Sequence, residues 1–120
     1  MPKRKHPEQD LQKACVQMLA IFENQGKLRF FHVPNGGYRN PKEAAKFKAI
    51  GVRAGVPDLV ILPANGKACF IELKADKGNL TEPQQDWADW LDKHYRYAVC
   101  RSVDDMLLVL NGWGVTRAAA

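Results

Sequence analysis

Leu59-Val60-Ile61-Leu62-Pro63-Ala64-Asn65-Gly66-Lys67-Ala68-Cys69-Phe70-Ile71-Glu72-Leu73-Lys74 reads as a β-hairpin that ends in charge. Leu59–Leu62 is β-prone, Asn65-Gly66 is a hairpin-turn signal, and Lys67–Lys74 is the returning strand. That strand alternates as far as Ile71 and then presents Glu72-Leu73-Lys74. Charges at the end of an otherwise apolar, central strand need a reason, because an unpaired buried charge is costly. Pro57-Asp58 stands directly before the outgoing strand. With a two-residue loop at Asn65-Gly66, Asp58 falls opposite Leu73; with a four-residue loop it falls opposite Ile71. In either register Asp58 lies across from Glu72 and Lys74, which share a face because they are two residues apart.

Two carboxylates held this close repel unless a cation sits between them. Hard oxygen ligands suit Mg²⁺ or Mn²⁺. A lysine beside such a pair can orient or deprotonate an attacking water. Together these groups supply what phosphodiester hydrolysis requires, an activated nucleophile and positive charge for the transition state. The competing reading of Glu72-Leu73-Lys74 taken alone is a same-face surface ion pair. Pro57-Asp58 at hairpin-compatible spacing favours the chemical reading.

Outward from the hairpin, the chain alternates between helical and strand patterns. Leu11, Ala14, Cys15, Met18, Leu19 and Phe22 fall on one face of a helix from Pro7 to about Asn24, stopped by Gln25-Gly26. Leu28–Val33 is a strand, followed by the loop Pro34-Asn35-Gly36-Gly37-Tyr38-Arg39. Asn40-Pro41-Lys42-Glu43 opens a second helix that runs to about Ile50. Thr81-Glu82-Pro83-Gln84 is a capping box for a third, which reaches His94 with Trp87 and Leu91 inward. Tyr95–Arg101 is a fourth strand, and Ser102 caps a last helix with Val103, Met106, Leu107 and Leu110 on one face. The order α, β, α, β, β, α, β, α predicts an α/β fold, a mixed sheet flanked by helices.

The 120 residues give room for one domain, with a core from about 7 to 110 and a frayed C-terminal tail. No apolar run approaches the roughly 18 residues of a membrane span, and the basic start Met-Pro-Lys-Arg-Lys-His has no apolar segment behind it. A net charge of +5 favours polyanionic partners. Cys15, Cys69 and Cys100 are odd in number and widely spaced. They read as small buried apolar residues in a reducing cytoplasm rather than as disulfides or a zinc site.

Three segments in order, Gly51-Val52-Arg53-Ala54-Gly55-Val56-Pro57-Asp58-Leu59, Phe70-Ile71-Glu72-Leu73-Lys74 and Leu80-Thr81-Glu82-Pro83-Gln84, resemble the VRR-NUC family within the PD-(D/E)xK nucleases. His32-Val33-Pro34-Asn35-Gly36-Gly37 adds to the likeness, which spans about Glu8 to Val103. The resemblance implies a restriction-endonuclease-like core in which Asp58, Glu72 and the backbone carbonyl of Leu73 hold the metal. It implies that Lys74 positions the attacking water and that Gln84 orients that lysine or water. Glu8 matches an outer carboxylate that serves a metal. Gln84 also fits a plain capping role, and Glu8 a plain helix-dipole role; Asp10 is the neighbouring alternative to Glu8.

Arg39, Lys42, Lys46, Lys48 and Arg53 cluster upstream of the catalytic strand and read as phosphate contacts, with a solvated helix face as the alternative. Asn35 and Arg39 sit in a glycine-rich loop that allows close approach to DNA. His32 reads as a satisfied strand residue, and Trp87 and Trp90 as core and interface rather than base-stacking platforms. His6 and His94 have no partner pattern.

The resemblance further implies a Mg²⁺- or Mn²⁺-dependent DNA endonuclease that leaves a 5′-phosphate. Stand-alone members of this size resemble phage and bacterial enzymes of the cytoplasm that resolve Holliday junctions as homodimers. Val16, Ile21, Trp90, Trp113 and Val115 are apolar residues left over for such a dimer surface. The alternatives are a flap, single-strand or less selective nuclease, or a DNA-binding module with a vestigial site.

Overall fold

The structure, a computed structural model, describes residues 6–34 and 40–116. Its elements follow the expected order: α1 (Pro7–Asn24), β1 (Leu28–His32), α2 (Pro41–Ala49), β2 (Leu59–Pro63), β3 (Cys69–Leu73), α3 (Glu82–His94), β4 (Arg96–Cys100) and α4 (Val103–Gly112). The strands lie side by side in chain order, antiparallel from β1 to β3, with β4 parallel to β3. β3 is therefore an inner strand. It is shorter than the patterned stretch: Lys67 and Ala68 precede it and Lys74 follows it.

Helices cover one face of the sheet and part of the other. α1 and α4 pack together on one, where Leu11, Cys15, Leu19, Leu59, Ile61, Cys69, Ile71, Cys100, Met106 and Leu110 form the core. On the other face α3 lies along β4 and buries Ala88 and Leu91. The three cysteines are free and buried, and burial pushes the Cys15 thiol up to about 11 and the Cys100 thiol up to about 12. These thiols act as apolar packing. Among the described residues no helix is long and apolar enough to cross a membrane.

Two expectations about the C-terminal end are overturned. Val115 is buried in the core, and Trp113 packs against it, so neither offers apolar surface to a partner. The core thus extends beyond residue 110. The cause is a turn that closes α4: Gly114, at φ +76°, lets the Val115 amide donate to the Leu110 carbonyl (2.9 Å) and the Gly114 amide to Asn111 (3.0 Å). This pair of hydrogen bonds around a left-handed glycine folds the following apolar residue back onto the helix. Val16 is also half-buried against the core, whereas Ile21 and Trp90 remain more than half exposed.

Candidate active site

The β2–β3 register falls between the two expected ones. Leu59 pairs with Ile71, Val60 with Phe70 and Ile61 with Cys69, so one step further Asp58 stands opposite Glu72 itself. The turn is wider than Asn65-Gly66 alone. The last β2–β3 pair is Ile61 with Cys69; Leu62 and Pro63, which has no amide hydrogen, continue β2 against β1 only, and residues 64–68 connect to β3. Alternation then puts Asp58, Val60, Phe70 and Glu72 on the α3 face of the sheet. The Asp58 carboxylate accepts a hydrogen bond from the Leu73 amide (2.7 Å). Its backbone carbonyl accepts from the Val33 amide (2.9 Å) and from His32 Nδ1 (2.9 Å), so His32 steadies the segment that carries Asp58.

Gln84 performs two tasks at once. Its side-chain oxygen accepts from the Thr81 amide (2.9 Å) to close the capping box, while its amide nitrogen donates to Glu72 Oε1 (3.0 Å). The protein partner of that nitrogen is the Glu72 carboxylate, and capping and site contacts coexist in one side chain. Lys74 is 8% exposed and Glu72 only 2%, both at the end of an inner strand. A Cβ placed on Gly78 would lie 3.6 Å from Glu8 Oε1 and 3.7 Å from Lys74 Cδ, so α1 delivers Glu8 to the lysine side of the site. Arg101 pins the same loop, its Nη1 donating to the carbonyls of Asp76 (3.1 Å) and Gly78 (2.8 Å). Neither Arg101 nor His32 carried a sequence signal for these contacts. Both depend on strand pairings that local patterns do not specify.

Electrostatics ties the group together. Burial, then the charge of Asp58, pushes the Glu72 carboxyl up to about 8, while Lys74 pulls it the other way. Asp58 is raised as well, chiefly by burial, against the lowering effect of the Leu73 amide. Glu8 adds to both increases, whereas Asp10 is not among the causes. Burial first, then the charges of Glu72 and Asp58, also raises the Tyr97 hydroxyl on β4.

A carboxyl raised in the folded state binds more protons folded than unfolded between its two pKa values. Stability then falls as pH rises through that window. In the metal-free protein the expected loss runs from about pH 4.5 to about 8. Glu72→Gln flattens it, which urea unfolding in EDTA below and above the window measures. An unchanged slope would show that Glu72 is not the group responsible.

The donor chemistry fits a hard divalent cation. Asp58 and Glu72 supply two adjoining carboxylates whose negative charges a cation would compensate, and Leu73 between Glu72 and Lys74 carries the nearby backbone carbonyl. Among the described residues no group of three His, Cys, Asp or Glu side chains forms a metal cage. Two carboxylates suit an ion that keeps several positions for water and substrate.

Of the expected DNA contacts, Lys42, Lys46 and Lys48 are exposed on α2. Arg53 is exposed and its guanidinium lies over the Trp87 ring, 5.3 Å from the centroid. Asn35 and Arg39 lie outside the described residues.

A mixed sheet with an aspartate entering one inner strand and a Glu-x-Lys ending its neighbour is the arrangement of a PD-(D/E)xK nuclease. A family model described as the VRR-NUC domain matches residues 6–104, and the chain belongs to this family. A solved structure named as a VRR_NUC domain protein is similar at 26% identity and a TM-score of 0.70, over 92% of this chain and 90% of that one. Comparison with curated proteins returns no match. Membership implies a nuclease with DNA as substrate, in a family that generally uses divalent metal ions.

Proposed function

We propose that the chain is a Mg²⁺- or Mn²⁺-dependent endonuclease that hydrolyses DNA phosphodiesters at branched substrates, four-way junctions above all. The observation that carries the catalytic part is the Asp58–Glu72 pair, raised in pKa and bonded to Gln84, with Lys74 beside it on the same strand. Asp58, Glu72 and the Leu73 carbonyl would hold the ion, which when bound supplies positive charge to the scissile phosphate and acidifies water. Lys74 orients the attacking water. Gln84 fixes the Glu72 carboxylate, His32 fixes the backbone of Asp58, and Glu8 is the outer carboxylate that completes the polar rim. Hydrolysis leaves a 5′-phosphate.

The junction preference and a two-fold homodimer come from the resemblance to small stand-alone members. One small domain makes one cut, and symmetric resolution requires two sites. Exposed Ile21 on α1 and Leu107 and Leu108 on α4, helices that pack side by side, support a self-complementary surface. Light scattering is expected to give about twice the 13.5 kDa chain mass. Junction, flap, duplex and single strand, each with Mg²⁺, Mn²⁺ or EDTA, test the activity on one gel. Paired symmetric nicks in the junction are expected. A strict monomer that cuts flaps or single strands would defeat the resolvase reading, and full activity in EDTA would defeat the metal-dependent one.

Lys42, Lys46 and Lys48 make α2 the proposed phosphate track, together with Asn35, Arg39 and Arg53. Reversing the three lysine charges should weaken DNA binding. It should also reduce the slope of log affinity against log salt by about 0.9 for each lost contact. An unchanged slope would make α2 a solvated face and move the track elsewhere.

A further inference from the structure

A groove of about 630 Å³ runs along the α3 face of the sheet, within the roughly 300–1,000 Å³ typical of ligand sites. Its floor includes Val60 and Phe70, the cross-strand pair next to Asp58 and Glu72 on the same face. One wall is α3, where Trp87 and Leu91 follow Gln84 at helical spacing, so the stripe that begins at Glu72's partner continues into the groove. The other wall is the chain around Asp58: Val33, Val52, Val56 and Pro57. Every side of the groove thus belongs to an element that also builds the catalytic end.

The lining is mostly apolar, and Phe70, Trp87, Trp90 and Tyr95 bring four aromatic rings to it. Phe70 and Tyr95 meet edge to face at 5.6 Å, and Tyr95 lies 6.0 Å from Trp90, which is 51% exposed. The charge is at the lip, where Arg53 covers Trp87 beside a smaller recess that Asp86 also borders. Aromatic faces with a cation at the edge suit a flat π-system carried on a phosphate backbone. The distance from Glu72 to Phe70 along the strand, about 7 Å, is the short step from a phosphate to a base beside it.

From this placement we infer that the groove is a subsite for one unpaired nucleobase next to the scissile phosphate, stacked against Trp87 and Trp90 without reading of its edges. This reading departs from the expectation that these tryptophans are core and interface rather than base-stacking platforms. It rests on the nuclease reading of the Asp58–Glu72 pair and adds to it a requirement for a nucleotide out of the duplex stack at the cut. A base held in a helix of paired bases cannot enter the groove.

The test titrates the full chain with a short single-stranded oligonucleotide and with the same oligonucleotide made abasic at successive positions. Affinity and tryptophan fluorescence are both recorded. Trp113, packed against the core on the other face, serves as the internal control. The base-bearing strand should quench fluorescence, and one abasic position should weaken binding about tenfold and remove the quench. Trp87→Leu and Trp90→Leu should each erase the difference between the two strands, and Trp87→Phe should keep it. Because Trp90 is half exposed, its variant leaves the core intact.

Equal affinity for every abasic strand would overturn the inference, as would a base dependence that survives in both leucine variants. A Trp90→Leu chain that changes particle mass but not base dependence would also overturn it, assigning the groove to a second copy of the chain. None of these outcomes touches metal-dependent cleavage, whose loss is read separately on the gel.

Discussion

Glu72→Gln, Asp58→Asn and Lys74→Met are each expected to reduce metal-dependent DNA cleavage by about three orders of magnitude or more while the chain stays folded. The size of the loss follows from the geometry. Glu72 and Asp58 face each other across β2 and β3, so neutralising either removes half of the charge that would hold a cation. The fold survives because these groups do not stabilise the metal-free protein through their charges. Burial raises both carboxyls, the charge of Asp58 raises Glu72 further, and an amide of the same shape relieves that cost. Methionine keeps the buried stem of Lys74.

Calorimetry with Mn²⁺ separates the roles. Both carboxylate variants should bind the ion more weakly, whereas Lys74→Met should bind it normally and still fail to cut. A wild-type rate for Glu72→Gln would sink the assignment.

Most of the fold was legible because its signals are local. Leu11, Cys15 and Leu19 announced the buried stripe of α1, Thr81 and Gln84 announced the start of α3, and all three of those apolar residues are buried. The juxtaposition of Asp58 and Glu72 was legible in outline for the same reason, since they flank a single hairpin. Its register was not, because register depends on how the chain relaxes around Pro63 rather than on the turn signal at Asn65-Gly66. His32 and Arg101 were out of reach because their partners, Asp58 and the carbonyls of Asp76 and Gly78, lie 23 to 26 residues away. The burial of Val115 was readable in principle. Gly114 two residues past a helix, followed by an apolar residue, is a known helix stop, and assigning Val115 to a dimer surface hid it.

Gly55→Ala is expected to damage stability and catalysis together, although Gly55 touches no reacting group. The segment before Asp58 passes so close to α3 that a Cβ on Gly55 would strike the carbonyl carbon of Pro83. It would also come within 2.6 Å of that carbonyl's oxygen and 2.7 Å of the Gln84 amide nitrogen. All three are backbone atoms, so no side chain can swing aside. The φ of +84° adds its own penalty for any residue with a Cβ. Strained conformation and overpacking each cost about 1–3 kcal/mol, so the variant should lose at least about 2 kcal/mol. At this chain length that is a fall in Tm of roughly 8 °C.

The relief available to the protein is to move the first turn of α3 away from the sheet. That withdraws Gln84 from Glu72 and widens the groove in front of Trp87. kcat should therefore fall more than stability alone accounts for, even well below the new Tm. Gly26→Ala is the control. Gly26 has a similar φ of +76° but open space around the would-be Cβ, so it should cost about 1 kcal/mol and leave kcat unchanged. If Gly55→Ala matches Gly26→Ala in both stability and kcat, the contact between the Asp58 segment and α3 is not what holds Gln84 against Glu72.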